Sequence, residues 1–128
     1  MFNQILFYIG SAITIVWGIS HLFPTKSVVK GFGEISADNK NIITMEWIIE
    51  GVALIFIGVV VAGVTIIEST NNVSAFIYIS SAVMLFVLAI ISIFTGFKIN
   101  FLPFKLCPVL FSISAILILL GYFLWKEL

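Results

Sequence analysis

Between Ser69 and Phe97 the chain runs 29 residues without a charged side chain. Met1 to Thr25 likewise holds no Lys, Asp or Glu, and Gly51 to Ile67 and Leu106 to Trp125 are uncharged. A helix that crosses a bilayer needs about 20 consecutive, mostly apolar residues. These runs predict four spanning helices at about 3–22, 41–67, 73–96 and 104–126 of one transmembrane domain. The expected fold is all-α, an integral membrane four-helix bundle with a long first loop. Composition argues the same way. The chain is 62% hydrophobic and 9% charged, whereas a soluble domain carries roughly a quarter charged residues. Too few polar side chains are present to cover a water-facing surface.

All six basic residues are lysines and the net charge is zero. No basic run exists, so nucleic acid is not an expected partner. Without arginine there is no bidentate clamp for phosphate or carboxylate. The opening MFNQILFYIG has neither the basic start nor the small-residue cleavage site of a secretory signal, so it is expected to stay as a helix. Lys26, Lys30 and Lys40 fall in the first loop, Lys98 and Lys105 in the third, none in the second. The excess of lysine places loops 1 and 3 on the cytoplasmic side of the cell inner membrane and both termini outside. Cys107 is the only cysteine. It can form no internal disulfide and reads as a small buried hydrophobe. The single His21 rules out haem held by two histidines of one chain, and no cofactor is expected.

The first loop, FPTKSVVKGFGEISADNK, holds most of the polar side chains. Pro24 should stop the first helix, TKSVVK can form one interfacial helical turn, and Gly31 and Gly33 bracket Phe32 in a turn. Ser36 or Asp38 can cap the second span. GISHLFPTK and GFKINFLPFK resemble each other, which two helix stops at one membrane face would explain. Tyr8, Tyr78, Tyr122, Trp17, Trp47 and Trp125 lie near span ends, as an interfacial aromatic belt would. The serines read as hydrogen-bonding residues between packed helices.

Functional signal concentrates in NIITMEWIIEG, residues 41–51. Glu46 and Glu50 are four positions apart, so they lie about 40° apart on one helix face. Gly51, Gly58 and Ala62 lie on a different face, where small residues admit a neighbouring helix. If the span began after Glu50, only 17 residues would remain before Glu68, fewer than the about 20 needed. Glu50 is therefore expected one turn inside the apolar zone and Glu46 at the headgroup level, beside a Trp47 anchor. A carboxyl inside the membrane asks for a partner. His21 is the expected one; Lys26, Lys30 and Lys40 are alternatives. Gly10, Thr14, Trp17, Gly18 and His21 share a small-residue stripe, and Trp17 stands one turn from His21. The expected ligand-binding residues are thus Trp17, Phe32, His21 and Glu50, with His21, Glu46 and Glu50 as candidate acid–base groups. One histidine with two carboxylates of one helix is a weak metal signature, and no metal site is expected.

WIIEGVALIFIGVVVAG resembles the second-helix signature of the DoxX-like superfamily of small four-helix bacterial membrane proteins. In that pattern a Glu opens a run of Gly, Leu and Ala that ends in another Gly, here Glu50, Gly51, Leu54 and Gly58. Gly10 and Gly18 in the first helix and a long first loop also fit. Glu46, His21 and GFGEISADN are not part of the pattern, and the second half of the chain fits by hydropathy alone. One branch of that superfamily is a membrane subunit of thiosulfate:quinone oxidoreductase. The resemblance implies a subunit, or a binder of a lipophilic ligand such as a quinone or isoprenoid, in membrane redox homeostasis. Alternatives are a membrane enzyme using His21, Glu46 and Glu50 on a lipid-like substrate, for example an isomerase, and a small transporter. Expected partners are the lipid bilayer, such a ligand, and a second copy or a partner subunit.

Overall fold

In the computed structural model, which describes residues 2–126, the chain is helical with no strand among those residues. Helix α1 spans Phe2–Leu22, α2 Thr25–Gly31, α3 Ala37–Ile67, α4 Asn72–Thr95 and α5 Leu102–Lys126; a single 3₁₀ turn, Gly96–Lys98, follows α4. Four of them, α1, α3, α4 and α5, are long and apolar enough to cross a membrane. Hydrocarbon offers no water to backbone amides, and helices satisfy them internally. The protein is a multi-pass membrane bundle. Its many exposed Ile, Val and Phe side chains, such as Val16, Phe56, Phe76 and Phe94, form the surface that lipid covers.

The expected spans are found with small shifts. Helix α3 is the largest departure, starting at Ala37 rather than about 41. Ser36 caps it by accepting a hydrogen bond from the Asn39 N–H, which satisfies one of the free amides of the first turn. At 31 residues the helix is about 46 Å long, well over the about 30 Å of a hydrocarbon core. TKSVVK does form a short helix, with Val28 and Val29 buried. Gly33 has φ 74°, a left-handed conformation that glycine adopts without strain.

Helix α1 is the hub, packing along both α3 and α5, and α5 in turn packs along α4. Helices α3 and α4 scarcely touch although they are consecutive. The core runs through Phe7, Leu54, Val61, Tyr78, Leu85, Phe111 and Ile118. Tyr78 is fully buried, stacked on Phe7 with ring centroids 3.8 Å apart. Its hydroxyl lies 3.0 Å from Thr65 Oγ1, so it does not belong to an interfacial belt. Ser80 and Ser92 do not link helices either. Each hydroxyl donates to a carbonyl four residues back in its own helix. The α3–α4 connection is tied by Glu68, which accepts from the Thr70 amide and hydroxyl. Those bonds hold its carboxyl below the ordinary range.

Glycine sets the α1–α3 distance. A Cβ on Gly18 would stand 2.7 Å from the Gly51 carbonyl oxygen, and one on Gly51 2.9 Å from that of Gly18. Both obstacles are backbone, which cannot rotate away. Gly51→Ala should therefore destabilise by about 1–3 kcal/mol of overpacking, set against about 1 kcal/mol of helix propensity. Gly63 meets nothing within 4 Å, so Gly63→Ala should leave stability equal or higher. Thermal unfolding of both variants in one mild detergent checks the pair.

Candidate functional site

The Gly18–Gly51 contact places the end of α1 against the middle of α3. His21 is one turn beyond Gly18 and Glu50 precedes Gly51, so the two side chains meet. His21 Nε2 lies 3.6 Å from Glu50 Oε1; the His21 side chain is 4% exposed and that of Glu50 36%. The distance exceeds the 2.7–3.2 Å of a hydrogen bond. It is an electrostatic contact with room between the two atoms.

The other ring nitrogen is committed. His21 Nδ1 is 3.0 Å from the Trp17 carbonyl oxygen. A carbonyl only accepts, so Nδ1 carries the hydrogen. In the neutral ring, Nε2 then presents its lone pair toward Glu50. The ring is held on two sides by tryptophan. Trp47 stacks on it at 4.8 Å and 29°, and Trp17 meets it edge-on at 5.6 Å. Phe104 of α5 meets Trp47 edge-on at 5.4 Å. Trp47 is 8% exposed, and its indole N–H donates to the His21 carbonyl oxygen at 2.5 Å. Trp47 is thus a structural strut, not the expected headgroup anchor. Thr25 Oγ1 donates to the same oxygen at 3.2 Å, which ties α2 to the end of α1.

Beside this pair lies a cavity of about 540 Å³, bounded by α3, α4 and the start of α5. Its walls include Ile49, Ala53, Leu88, Ile91, Phe104 and Cys107, with Glu46, Glu50 and Phe32. It exists because α3 and α4 diverge here. Polar groups are few and gather at one end of the bundle, where α1 and α4 finish and α3 and α5 start. Phe32 is 47% exposed. It walls this cavity and a smaller one of about 350 Å³ formed with Pro24, Val28 and Phe101.

Of the acid–base candidates, then, the fold joins His21 and Glu50. Glu46 is exposed on the same cavity wall, and among the described residues it has no ion pair. None of the alternative partners, Lys26, Lys30 or Lys40, pairs with Glu50 either; among the described residues His21 alone does. Trp17 is beside His21 as expected, but its indole nitrogen is buried with no hydrogen-bonded oxygen or nitrogen acceptor among the described residues.

Cys107 is buried in the core, as expected of a small hydrophobe, but sequence reasoning did not place it beside His21 and Glu50. It is 4% exposed and not among hydrocarbon alone. Its sulfur, a His21 ring nitrogen and a Glu50 oxygen all lie within 4.8 Å of one another. The available signal was periodicity. Cys107, Phe111, Ser114 and Ile118 follow helical spacing and are all buried on α5. Comparison with known proteins identifies no relative: no protein-family model matches the chain, nor does any curated protein or solved structure.

The Trp47 strut can be tested without touching the cavity's acid. Trp47→Phe keeps a ring against His21 and deletes one buried donor. A loss of about 1–2 kcal/mol is expected, read as a lower unfolding temperature in detergent. Trp125→Phe, on the partly exposed last turn of α5, should show no change.

Proposed function

We propose that the protein binds a lipophilic molecule with a hydrogen-bonding head, a quinone or an isoprenoid alcohol, in the cleft between α3 and α4. The observation that carries this reading is the largely apolar cavity of about 540 Å³ with Glu50 in its wall and His21 behind it. Small-molecule sites are concave, about 300–1,000 Å³, mostly apolar, with a few convergent polar groups. A head carbonyl or hydroxyl can reach Glu50 while the tail lies along Leu88 and Ile91, toward the lipid. Leu88 and Ile91 belong to a spanning helix, so a lipophilic ligand entering along that wall would need no aqueous route. A phosphate head fits poorly, because no arginine exists to clamp it.

The likeness of the second span to the DoxX-like superfamily points the same way, since one branch of it works beside quinone. Five of the six lysines, all but Lys126, collect at the cavity's end of the bundle. The positive-inside rule assigns that end to the cytoplasmic face. Counting about 20 residues back from Ile67 starts the apolar zone near Ile48, leaving Glu46 at the interface and Glu50 inside. An acid–base enzyme is the second reading, favoured by His21 Nε2 facing Glu50 Oε1 at 3.6 Å. It requires His21 for turnover, whereas a binder requires Glu50 and an open cleft.

Mass spectrometry of lipids retained through mild-detergent purification tests binding. Wild type should retain a quinone or isoprenoid in a fixed ratio to the chain. Glu50→Gln should cut retention at least tenfold with the unfolding temperature little changed. Ala53→Phe, which fills the cleft from an exposed position, should do the same. Full retention in both variants would sink the reading. A reporter fused to the C-terminus should lie outside the cytoplasm.

A further inference from the structure

We infer that His21, Glu50 and Cys107 form a site for one divalent transition metal of the zinc class, with a fourth coordination position open to the cavity. The three residues come from three helices, α1, α3 and α5, and their ligand atoms lie within 4.8 Å of one another. An imidazole nitrogen, a carboxylate oxygen and a thiolate are all zinc donors. Three protein ligands plus one exchangeable position is the pattern of sites that keep a place for substrate.

A third donor, the Cys107 sulfur within 4.8 Å of the other two ligand atoms, makes this more than an ion pair. Zinc bonds of about 2.0–2.3 Å in a tetrahedron put neighbouring ligand atoms roughly 3.3–3.8 Å apart. The His21 Nε2–Glu50 Oε1 separation is 3.6 Å, too long for a hydrogen bond and within that range. With the three ligand atoms spread over no more than 4.8 Å, the triad has only to close by about 1 Å on an ion. The outer shell is also in place. Metal-bound histidines donate their other ring N–H to a carboxylate or carbonyl, which fixes the ring and the tautomer. His21 does so to the Trp17 carbonyl at 3.0 Å, which leaves Nε2 as the ligating atom. Trp47 and Trp17 hold the ring against rotation. Trp17 also supplies a buried indole N–H with no hydrogen-bonded oxygen or nitrogen acceptor among the described residues. It neighbours Cys107 and is placed to donate to the sulfur or to a group on the open position.

Charge favours the assignment in an apolar setting. A thiolate and a carboxylate together carry two negative charges, and a divalent ion cancels them. A neutral cluster is far less costly to hold in hydrocarbon than separate charges. Binding releases the thiol proton to solvent, along with any proton on Glu50, so occupancy rises with pH. The inference goes beyond ligand binding in the cleft and does not need it. A metal at this place would give the head of a bound molecule a Lewis-acidic contact.

Cobalt(II) is the probe. Full-length protein, purified in mild detergent and stripped with a chelator, should take up one Co²⁺ per chain. It should develop a thiolate-to-cobalt charge-transfer band and the intense visible bands of a four-coordinate ion, both bleached by added Zn²⁺. Cys107→Ser should abolish the charge-transfer band, and His21→Ala and Glu50→Gln should each weaken Zn²⁺ binding at least tenfold. Wild type should also gain thermal stability from Zn²⁺, and Cys107→Ser should not; its melting without metal shows whether it folds. Ala53→Phe should lose lipid and keep the cobalt spectrum. Absence of the bands in folded wild type, or their survival in Cys107→Ser, overturns the metal site. Lipid retention without cobalt binding overturns it alone and leaves the binding proposal standing.

Discussion

The contact on which the structure depends is backbone against backbone, between Gly18 and Gly51. In a bilayer, lipid tails are as apolar as leucine, so helices gain little by burying greasy side chains against each other. What they gain is dispersion from close approach, and close approach needs positions without a Cβ. Gly58 repeats the arrangement two turns on, where its missing Cβ would meet the Ser11 carbonyl oxygen at 2.7 Å. Helices α1 and α3 are thus joined along a seam whose register is set by backbone shape. Register is the functional variable here. It puts His21 beneath Glu50 and brings the Trp47 indole to the His21 carbonyl oxygen.

The same seam accounts for the cavity. Helix α3 spends its small-residue face on α1, and α4 spends its inner face on α5 through Ala82, Leu85 and Ala89. Neither has a complementary face left for the other. Two consecutive spans therefore diverge toward one end, and the space between them is walled by whatever lies at the edges of those seams. On α3 that edge carries Glu46, Glu50 and Ala53. Position 50 is adjacent to the glycine that makes the contact, so the acid reaches both the histidine behind it and the open cleft in front.

Much of this could be read from the sequence, and what could not has a physical pattern. Uncharged runs defined the spans because the bilayer sets a length that hydropathy reports directly. The Gly18–Gly51 seam was visible as two small-residue stripes, and His21 followed from being on one of them. The aromatic residues were harder. Trp47 and Tyr78 occupy positions near span ends that an interfacial belt also favours, and sequence position does not say which way a ring turns. Each turned inward because a buried acceptor awaited it: the His21 carbonyl for one, Thr65 for the other. Cys107 was missed for a different reason. Its neighbours His21 and Glu50 are 86 and 57 residues away in the chain, and no local spacing announces a cluster drawn from three helices. The packing of α5 on α1 alone brings it in.

The two ends of the bundle show what kind of place the cluster occupies. At the end where α3 finishes and α4 begins, the polar side chains are matched, and the one acid, Glu68, is hydrogen-bonded to Thr70. Tyr78 pairs with Thr65, Gln4 Nε2 donates to Ser69 Oγ at 3.2 Å, and Ser74 is tied to Asn71 and Glu68. A satisfied network of that kind rigidifies a fold and leaves nothing over for a ligand. At the His21 end the groups are able to carry charge, they lie close without hydrogen bonds between them, and the Trp17 indole nitrogen has no oxygen or nitrogen acceptor among the described residues. A buried donor left unmatched costs about 1–3 kcal/mol, and a carboxyl inside the apolar zone costs more. A chain that matches its polar groups so fully at one end has the means to do so at the other. At the His21 end Glu50 and Cys107 border the cavity, which is where a further group can complete them.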